Sequence, residues 1–533
     1  MTHTGIYLNK NSDQFKKYLK NKIFVDKSLI IKETNDLFGS EKSFMCVTRP
    51  RRFGKTLALS MLNAYYSKGC DSKDLFKGLK ISKDPSFEEH LNKHNVISVD
   101  MASFYSGVKD KSKMLGAIEK AVVEELRESF PSALSRKEKT IAQAVIKINK
   151  KLGERFIFLI DEWDVIFRLQ EDNQELCDSY TEFLWHIFKS SDVSSCFDLV
   201  YMTGILPIRR YITQSTLNMF SEYSMLEPRG LASLFGFTED EVKKLCAIHS
   251  MDFSIIKNWY EGYELGGMEI YNPKSVVEAL TLKRCGDYWT ATSSIEAITD
   301  YMNYDHGVLK GEITKMLSGG KISFDPGKFS NDLTKVDSKD AALTVLVHLG
   351  YLAYLPGEQD EEEGACYIPN EEIRREFERA LEKLDWSGIY DPIFHSERLL
   401  KDTLAGDTDA INKAFDRNHR ELASPFSKND ENVLSVIAIV SYYKARNHYS
   451  VRKEETSMNG RSDISFFPKE AGYPPFIVEL KAGHSHEEAI EQIKERRYWE
   501  AWDGYKGKVL LVGINYDEKT LKHSSKTEWI EIE

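Results

Sequence analysis

The chain has 533 residues, 41% of them apolar and 29% charged, a length about three to four times that of a typical domain and a composition that excludes large-scale disorder. Its net charge of −11 excludes a protein that binds nucleic acid over its whole surface, because neutralising phosphates takes a local excess of Lys and Arg. The seven cysteines stand singly, with an odd total and no C-x-x-C pair, which disfavours a disulfide scaffold and a zinc ribbon.

The first ten residues have neither the apolar core nor the small-residue cleavage site of a signal peptide. The longest apolar runs, 343–349 and 433–440, fall far short of the ~20 residues that cross a bilayer. A cytoplasmic protein with no membrane partner is expected. From 42 to 206, short apolar runs alternate with amphipathic stretches, the pattern of βα units on a parallel sheet. Residues 43–48, 96–99, 156–160 and 199–203 are predicted strands, and 57–66, 114–129 and 176–188 predicted helices.

Between the first predicted strand and helix lies Thr48-Arg49-Pro50-Arg51-Arg52-Phe53-Gly54-Lys55-Thr56. Strand, G-K-T and helix in that order form the setting of a Walker A loop, in which backbone N–H groups and a helix N-terminus wrap a triphosphate. Lys55 is expected on the β and γ oxygens and Thr56 on Mg²⁺. Arg51, Arg52, Phe53, Gly54 and Leu57 complete the expected ATP-binding set. Arg49 stands where the first glycine of the G-x-x-x-x-G-K-[ST] rule belongs. The three arginines of the loop, Arg49, Arg51 and Arg52, add charge-assisted phosphate contacts, or one of them faces the neighbouring domain.

Further on, Ile157-Phe158-Leu159-Ile160-Asp161-Glu162 is an apolar strand ending in two acids, the form of a Walker B segment. Asp161 is expected to hold Mg²⁺ through water and Glu162 to orient the attacking water. Thr203, at the tip of the last predicted strand, is a candidate sensor of the γ-phosphate, and Arg209 or Arg210 a candidate charge-stabilising arginine.

These segments, with Phe24-Val25-Asp26-Lys27-Ser28, Asp161-Glu162-Trp163-Asp164 and Thr203-Gly204-Ile205-Leu206-Pro207-Ile208, resemble the bacterial AAA-ATPase-like family over roughly residues 5 to 290. In that family an arginine-rich loop replaces the first Walker glycine. Trp259-Tyr260-Glu261-Gly262-Tyr263 and Tyr271-Asn272-Pro273 resemble motifs of its helical portion.

From 228 to 424 strand-like runs thin out, and a helical middle region is expected, with the acidic run 358–364 as a solvated hairpin tip or loop. After Pro425 the composition changes again. A predicted helix at 433–443 leads into strands at 449–454, 462–467 and 476–481, a helix at 487–502 and a strand at 509–514. The chain is therefore read as residues 1–227, a P-loop domain; 228–424, the helical middle; and 425–533, a small α/β domain.

In that last part, Asp463 starts one strand, and Glu479 and Lys481 share a face of the next because alternate residues of a strand point the same way. A hairpin brings Asp463 and Glu479 together, and two carboxylates at one spot call for a cation such as Mg²⁺. Asp-x(15)-Glu-x-Lys, followed by a helix bearing Gln492 and Tyr498, resembles the PD-(D/E)XK nuclease superfamily over about residues 425 to 530. The resemblance implies a restriction-endonuclease-like fold with Asp463, Glu479 and Lys481 as catalytic core. It further implies Gln492 as a helper and Glu431 as a helix acid near the metal.

Acids outnumber bases between 431 and 533, so nucleic-acid affinity is expected from Arg452, Lys453, Arg461, Lys481, Lys494, Arg496 and Arg497 on one face, or from the metal. The expected function is an ATP-regulated, Mg²⁺-dependent nuclease acting on DNA or RNA, with a protein partner or homo-oligomer as further partners. The alternative is a nucleotide-dependent switch whose last domain binds nucleic acid or protein without cutting.

Overall fold

The computed structural model describes residues 4–170, 173–208, 217–290, 296–302, 308–328, 338–357, 363–384, 386–422, 431–457, 460–469, 472–502 and 504–532. The chain forms two compact units, Met1–Ser294 with Ser323–Ile373, and Ile295–Ile322 with Arg374–Glu533. Residues 228–424 are shared between the two.

The first unit is built on a five-stranded sheet of β1 (Phe44–Thr48), β2 (Asn95–Asp100), β3 (Phe156–Asp161), β4 (Phe197–Gly204) and β5 (Ser221–Tyr223). All neighbours run parallel in the order β2-β3-β4-β1-β5. A parallel sheet is covered on both faces, so its strands read as continuous apolar runs, and alternate residues feed opposite cores. Cys46, Phe158, Val200 and Met202 enter one core with helices α2 (Met114–Ser129) and α3 (Gln174–Phe188). Met45, Val47, Leu159 and Tyr201 enter the other with α1 (Lys55–Tyr66). Strand β5 was not foreseen, since Ser-Glu-Tyr carries no apolar run.

This strand order positions the site. Because β4 lies between β1 and β3, Thr203 at its tip is flanked by the exit of β1 on one side and the end of β3 on the other. Asp100, at the end of β2, pairs in register with Asp161.

Outside that sheet, residues 228–294 and 323–373 of the first unit carry short strands as well as helices. They include a three-stranded sheet of Phe237–Thr238, Met268–Tyr271 and Tyr263–Leu265, and a hairpin of Ala353–Leu355 with Gly364–Tyr367. Residues 358–362, most of the acidic run, lie outside the described residues.

The second unit carries β6 (Tyr449–Ser457), β7 (Gly460–Pro468), β8 (Phe476–Ala482), β9 (Gly507–Asp517) and β10 (Lys522–Ile532), in that order across the sheet. Only β8 and β9 are parallel, and helix α7 (His486–Arg496) makes their crossover. Helices α4 (Ser387–Leu404), α5 (Thr408–Leu422) and α6 (Glu431–Ser441) pack together, and α5 lies on β10.

The helix expected over 487–502 ends at Arg496. Arg497 adopts a left-handed φ of 50°, and Tyr498–Ala501 forms a 3₁₀ turn. Strand β10 was missed because it is largely polar. Among the described residues no helix is long and apolar enough to cross a membrane.

Candidate functional site

The phosphate loop departs from the sequence reading at its entrance. Arg49 is fully buried, and its Nη1 donates to the carbonyls of Thr48 and Tyr223, both at 2.8 Å, with the guanidinium 5.4 Å from the Phe235 ring. Burial lowers its pKa to about 10. Expected among the arginines that contact phosphate or face a neighbouring domain, Arg49 instead ties β1 to β5. Only Arg51 and Arg52 are exposed.

Two left-handed residues shape the turn, Arg52 at φ 69° and Gly54 at φ 93°. Glycine takes this conformation at no steric cost directly before α1, while Arg52 carries strain of about 1 kcal/mol. The loop is braced from outside: Trp289 Nε1 donates to the Arg51 carbonyl at 3.0 Å and the Gly236 amide to that of Phe53 at 3.1 Å. Phe53 is buried edge-on against Tyr263, with ring centroids 5.6 Å apart. Neither Trp289 nor Gly236 was signalled by a motif.

Lys55 is buried and donates through Nζ to the carbonyls of Arg49 and Pro50, each at 3.0 Å. Burial pulls its pKa down, opposed by Glu162, Asp161 and Asp164. Asp161 is 5% exposed and accepts from the Glu162 amide at 3.0 Å, and Thr56, in the first turn of α1, lies on the same small cavity. Burial raises its pKa to about 6, with Glu162 and Asp100 adding to the rise. Asp100 is a third acid at this edge, absent from the sequence reading because β2 ends in a single carboxylate.

Thr203 is fully buried, and among the described residues its Oγ1 has no hydrogen-bond partner, which leaves it open to a ligand or water. Arg209 and Arg210 lie outside the described residues. The loop and the ends of β3 and β4 thus bring a buried ammonium, two hydroxyls and a carboxylate to one end of the sheet, a set that fits a triphosphate with Mg²⁺.

Two cavities adjoin it. One of about 300 Å³ is lined by Thr56, Asp100, Asp161 and Lys10. The other, of about 550 Å³ and mainly apolar, lies against Phe53, Gly54 and Leu57, walled by Ile23, Val25 and Val277.

In the second unit, β7 and β8 pair with Ile464 opposite Val478, which sets Asp463 beside Glu479. The Leu480 amide donates to Asp463 Oδ2 at 2.7 Å and the Asp463 amide to Glu479 Oε2 at 3.3 Å. Lys481 Nζ lies 3.4 Å from Glu479 Oε1 and donates to Gln492 Oε1 at 2.6 Å. Gln492 Nε2 in turn donates to Glu479 Oε1 and, at 2.9 Å, to the Tyr498 hydroxyl.

The structure therefore gathers Asp463, Glu479, Lys481 and Gln492, with Tyr498 as fifth member. Glu479 is 2% exposed, and burial with Asp463 beside it raises its pKa to about 8. A carboxylate pair held this way fits a divalent cation. Among the described residues no cluster of three or more His, Cys, Asp or Glu forms a metal set. Glu431 opens α6, but its side chain lies outside the described residues.

Gln492 reaches Glu479 because α7 presses onto β9 at Gly513. A Cβ there would stand 2.4 Å from the His486 carbonyl oxygen and 3.1 Å from Ala489 Cβ. Gly513→Ala is expected to push α7 off the sheet and destabilise the protein by about 1–3 kcal/mol, read as a lowered denaturant midpoint. Of the expected basic face, Lys494 is paired with Glu491 and Glu528, and Arg497 with Glu500, while Arg452 and Lys453 are exposed.

A P-loop on a parallel sheet in one unit, and an Asp, Glu, Lys and Gln cluster on a mixed sheet in the other, make a two-part chain of P-loop and nuclease-like domains. Residues 12–212 match the family model described as "Predicted AAA-ATPase", and residues 429–526 that of the PD-(D/E)XK nuclease superfamily. The chain carries an AAA-ATPase-like domain and a C-terminal PD-(D/E)XK nuclease superfamily domain.

It is 22% identical over 494 residues, 88% of this chain and 89% of the relative, to a protein of Azotobacter chroococcum mcd 1 described as "Uncharacterized protein in vnfD 5'region". It is similar over 68% of its length, and 96% of the other chain, to the solved Aeropyrum pernix ORC2 protein in ADPNP and ADP complexes, at 10% identity and a TM-score of 0.33.

Proposed function

We propose that the protein binds ATP with Mg²⁺ in its first unit and is a metal-dependent nuclease of DNA or RNA in its second, under ATP control. The observation that carries this is the hydrogen-bonded set of Asp463, Glu479, Lys481 and Gln492, in one chain with a P-loop whose lysine is buried at a sheet edge. As domains, residues 1–227 bind nucleotide, 228–424 form the intervening region and 425–533 cut.

In the first unit Lys55 turns from the carbonyls of Arg49 and Pro50 to β and γ oxygens, with backbone amides of the loop and α1 around them. Thr56 and Asp161 hold the Mg²⁺, Glu162 orients water, and Thr203 takes a γ oxygen on its unsatisfied hydroxyl. Arg51 and Arg52 add charge at the rim, and Phe53, Gly54 and Leu57 line the approach. The cavity of about 550 Å³ beyond them receives the base.

In the second unit Asp463 and Glu479 hold a Mg²⁺. When bound, the ion polarises a phosphodiester and makes its bound water more acidic. Lys481, held by Gln492, orients the attacking water and balances charge on the phosphate. Tyr498 fixes Gln492 from the far side. The protein works in the cytoplasm, with nucleic acid as its partner.

The test is Mg²⁺-dependent cleavage of supercoiled DNA, single-stranded DNA and RNA, with and without ATP. Cleavage by the native protein that responds to ATP and disappears in Asp463→Ala is expected. Undiminished cleavage by Asp463→Ala removes the assignment. A second reading, a nucleotide-dependent switch that binds a partner without cutting, is favoured by the neutralised Lys494 and Arg497. It requires ATP binding with no metal at Asp463 and Glu479.

A further inference from the structure

The acid assigned to the attacking water is already engaged. Glu162, at a left-handed φ of 52°, has its Oε2 2.5 Å from Nη2 of Arg168, a side chain 11% exposed on the short helix Val165–Leu169. The same guanidinium lies, through Nε, 2.9 Å from Oδ2 of Asp164, which is fully buried. Asp164 Oδ2 accepts the amides of Ile205 at 3.1 Å and Leu206 at 2.9 Å, the residues that follow Thr203 and Gly204 at the tip of β4. An unbroken series of polar contacts therefore runs from the Glu162 carboxylate through Arg168 and Asp164 to the backbone beside Thr203.

A charge-assisted pair this sheltered is stronger than an exposed ion pair. It also draws off the negative charge that a carboxylate needs to align and polarise a water.

We propose that Arg168 is a positioning residue that restrains Glu162, and that its hold is loosened from the β4 tip when a γ-phosphate reaches Thr203. This rests on the ATP-site reading and adds to it a brake on turnover set within the chain. The pair opens with no bond made or broken. Glu162 passes from a guanidinium to a water, and Arg168 keeps its anchor on Asp164.

The experiment compares ATP hydrolysis by the full-length native protein, Arg168→Gln and Arg168→Lys, alongside ATP binding and thermal unfolding. The restraint predicts that Arg168→Gln raises basal kcat roughly tenfold with KM and ATP affinity unmoved. Arg168→Lys, which keeps a cation in place, returns kcat most of the way to the native value. A loss of packing alone does not raise kcat and is not rescued by lysine. An unchanged or lowered kcat in a folded Arg168→Gln protein overturns the proposal. So does the absence of hydrolysis by all three proteins while ATP still binds. Native protein that binds no ATP instead defeats the underlying ATP-site reading.

Discussion

Lys55→Ala is expected to weaken ATP binding by about 100-fold or more, measured by titration with a fluorescent ATP analogue in Mg²⁺. The ammonium is buried at the mouth of α1 and already satisfied by two carbonyls of its own loop, so the triphosphate takes over existing contacts and no side chain has to be newly ordered. Hydrogen bonds to a charged group contribute about 1.5–3 kcal/mol each, and 1.4 kcal/mol is a factor of ten. Losing two of them accounts for the expected size. Binding of the same strength in the alanine protein means that the loop does not hold phosphate.

The second large effect lies in the other unit. Lys481→Ala is expected to lower the cleavage rate by about 10²–10³-fold, the usual consequence of removing one donor aimed at developing charge, with substrate binding little changed. The ammonium is fixed at both ends, 3.4 Å from Glu479 Oε1 and 2.6 Å from Gln492 Oε1, so it acts from a set position. Single-turnover kinetics on a labelled substrate separate the chemical step from binding. Equal loss of binding and rate in the variant assigns Lys481 to substrate capture.

The parts of the fold that were legible in the sequence are those written in apolar runs. Strands β1 to β4 and helices α1 to α3 were read closely, since a parallel sheet buries both faces and its strands stand out. β5 and β10 were not, because a three-residue edge segment and a polar strand leave no periodic signal. The end of α7 was invisible for another reason: Arg497 adopts the left-handed turn that glycine usually marks.

At the sites, spacing gave the lysines and acids, since Glu-x-Lys and Gly-Lys-Thr are set by the local backbone. It did not give Arg49, whose side chain goes inward to Tyr223, 174 positions away, because only the folded sheet brings β5 beside β1. Trp289, Gly236 and Asp100 were hidden in the same way, by contacts that close over long stretches of chain. Arg168 sits seven residues past Asp161, and nothing in that interval distinguishes it from a surface arginine until Asp164 is seen to be buried beneath it.

The most direct test is a calorimetric titration of Mg²⁺ into the nucleotide-free protein, native and Asp463→Ala, in buffers of different ionisation heat. Glu479 has a raised pKa of about 8 in the folded protein, so near pH 7 its carboxyl is largely protonated and a cation must displace that proton. Proton release is therefore expected at pH 7 and fades as pH rises through about 8. A divalent site with this proton release, present in the native protein and missing from Asp463→Ala, is the result predicted. Full metal binding by Asp463→Ala, or none by the native protein, contradicts the claim that Asp463 and Glu479 share a cation.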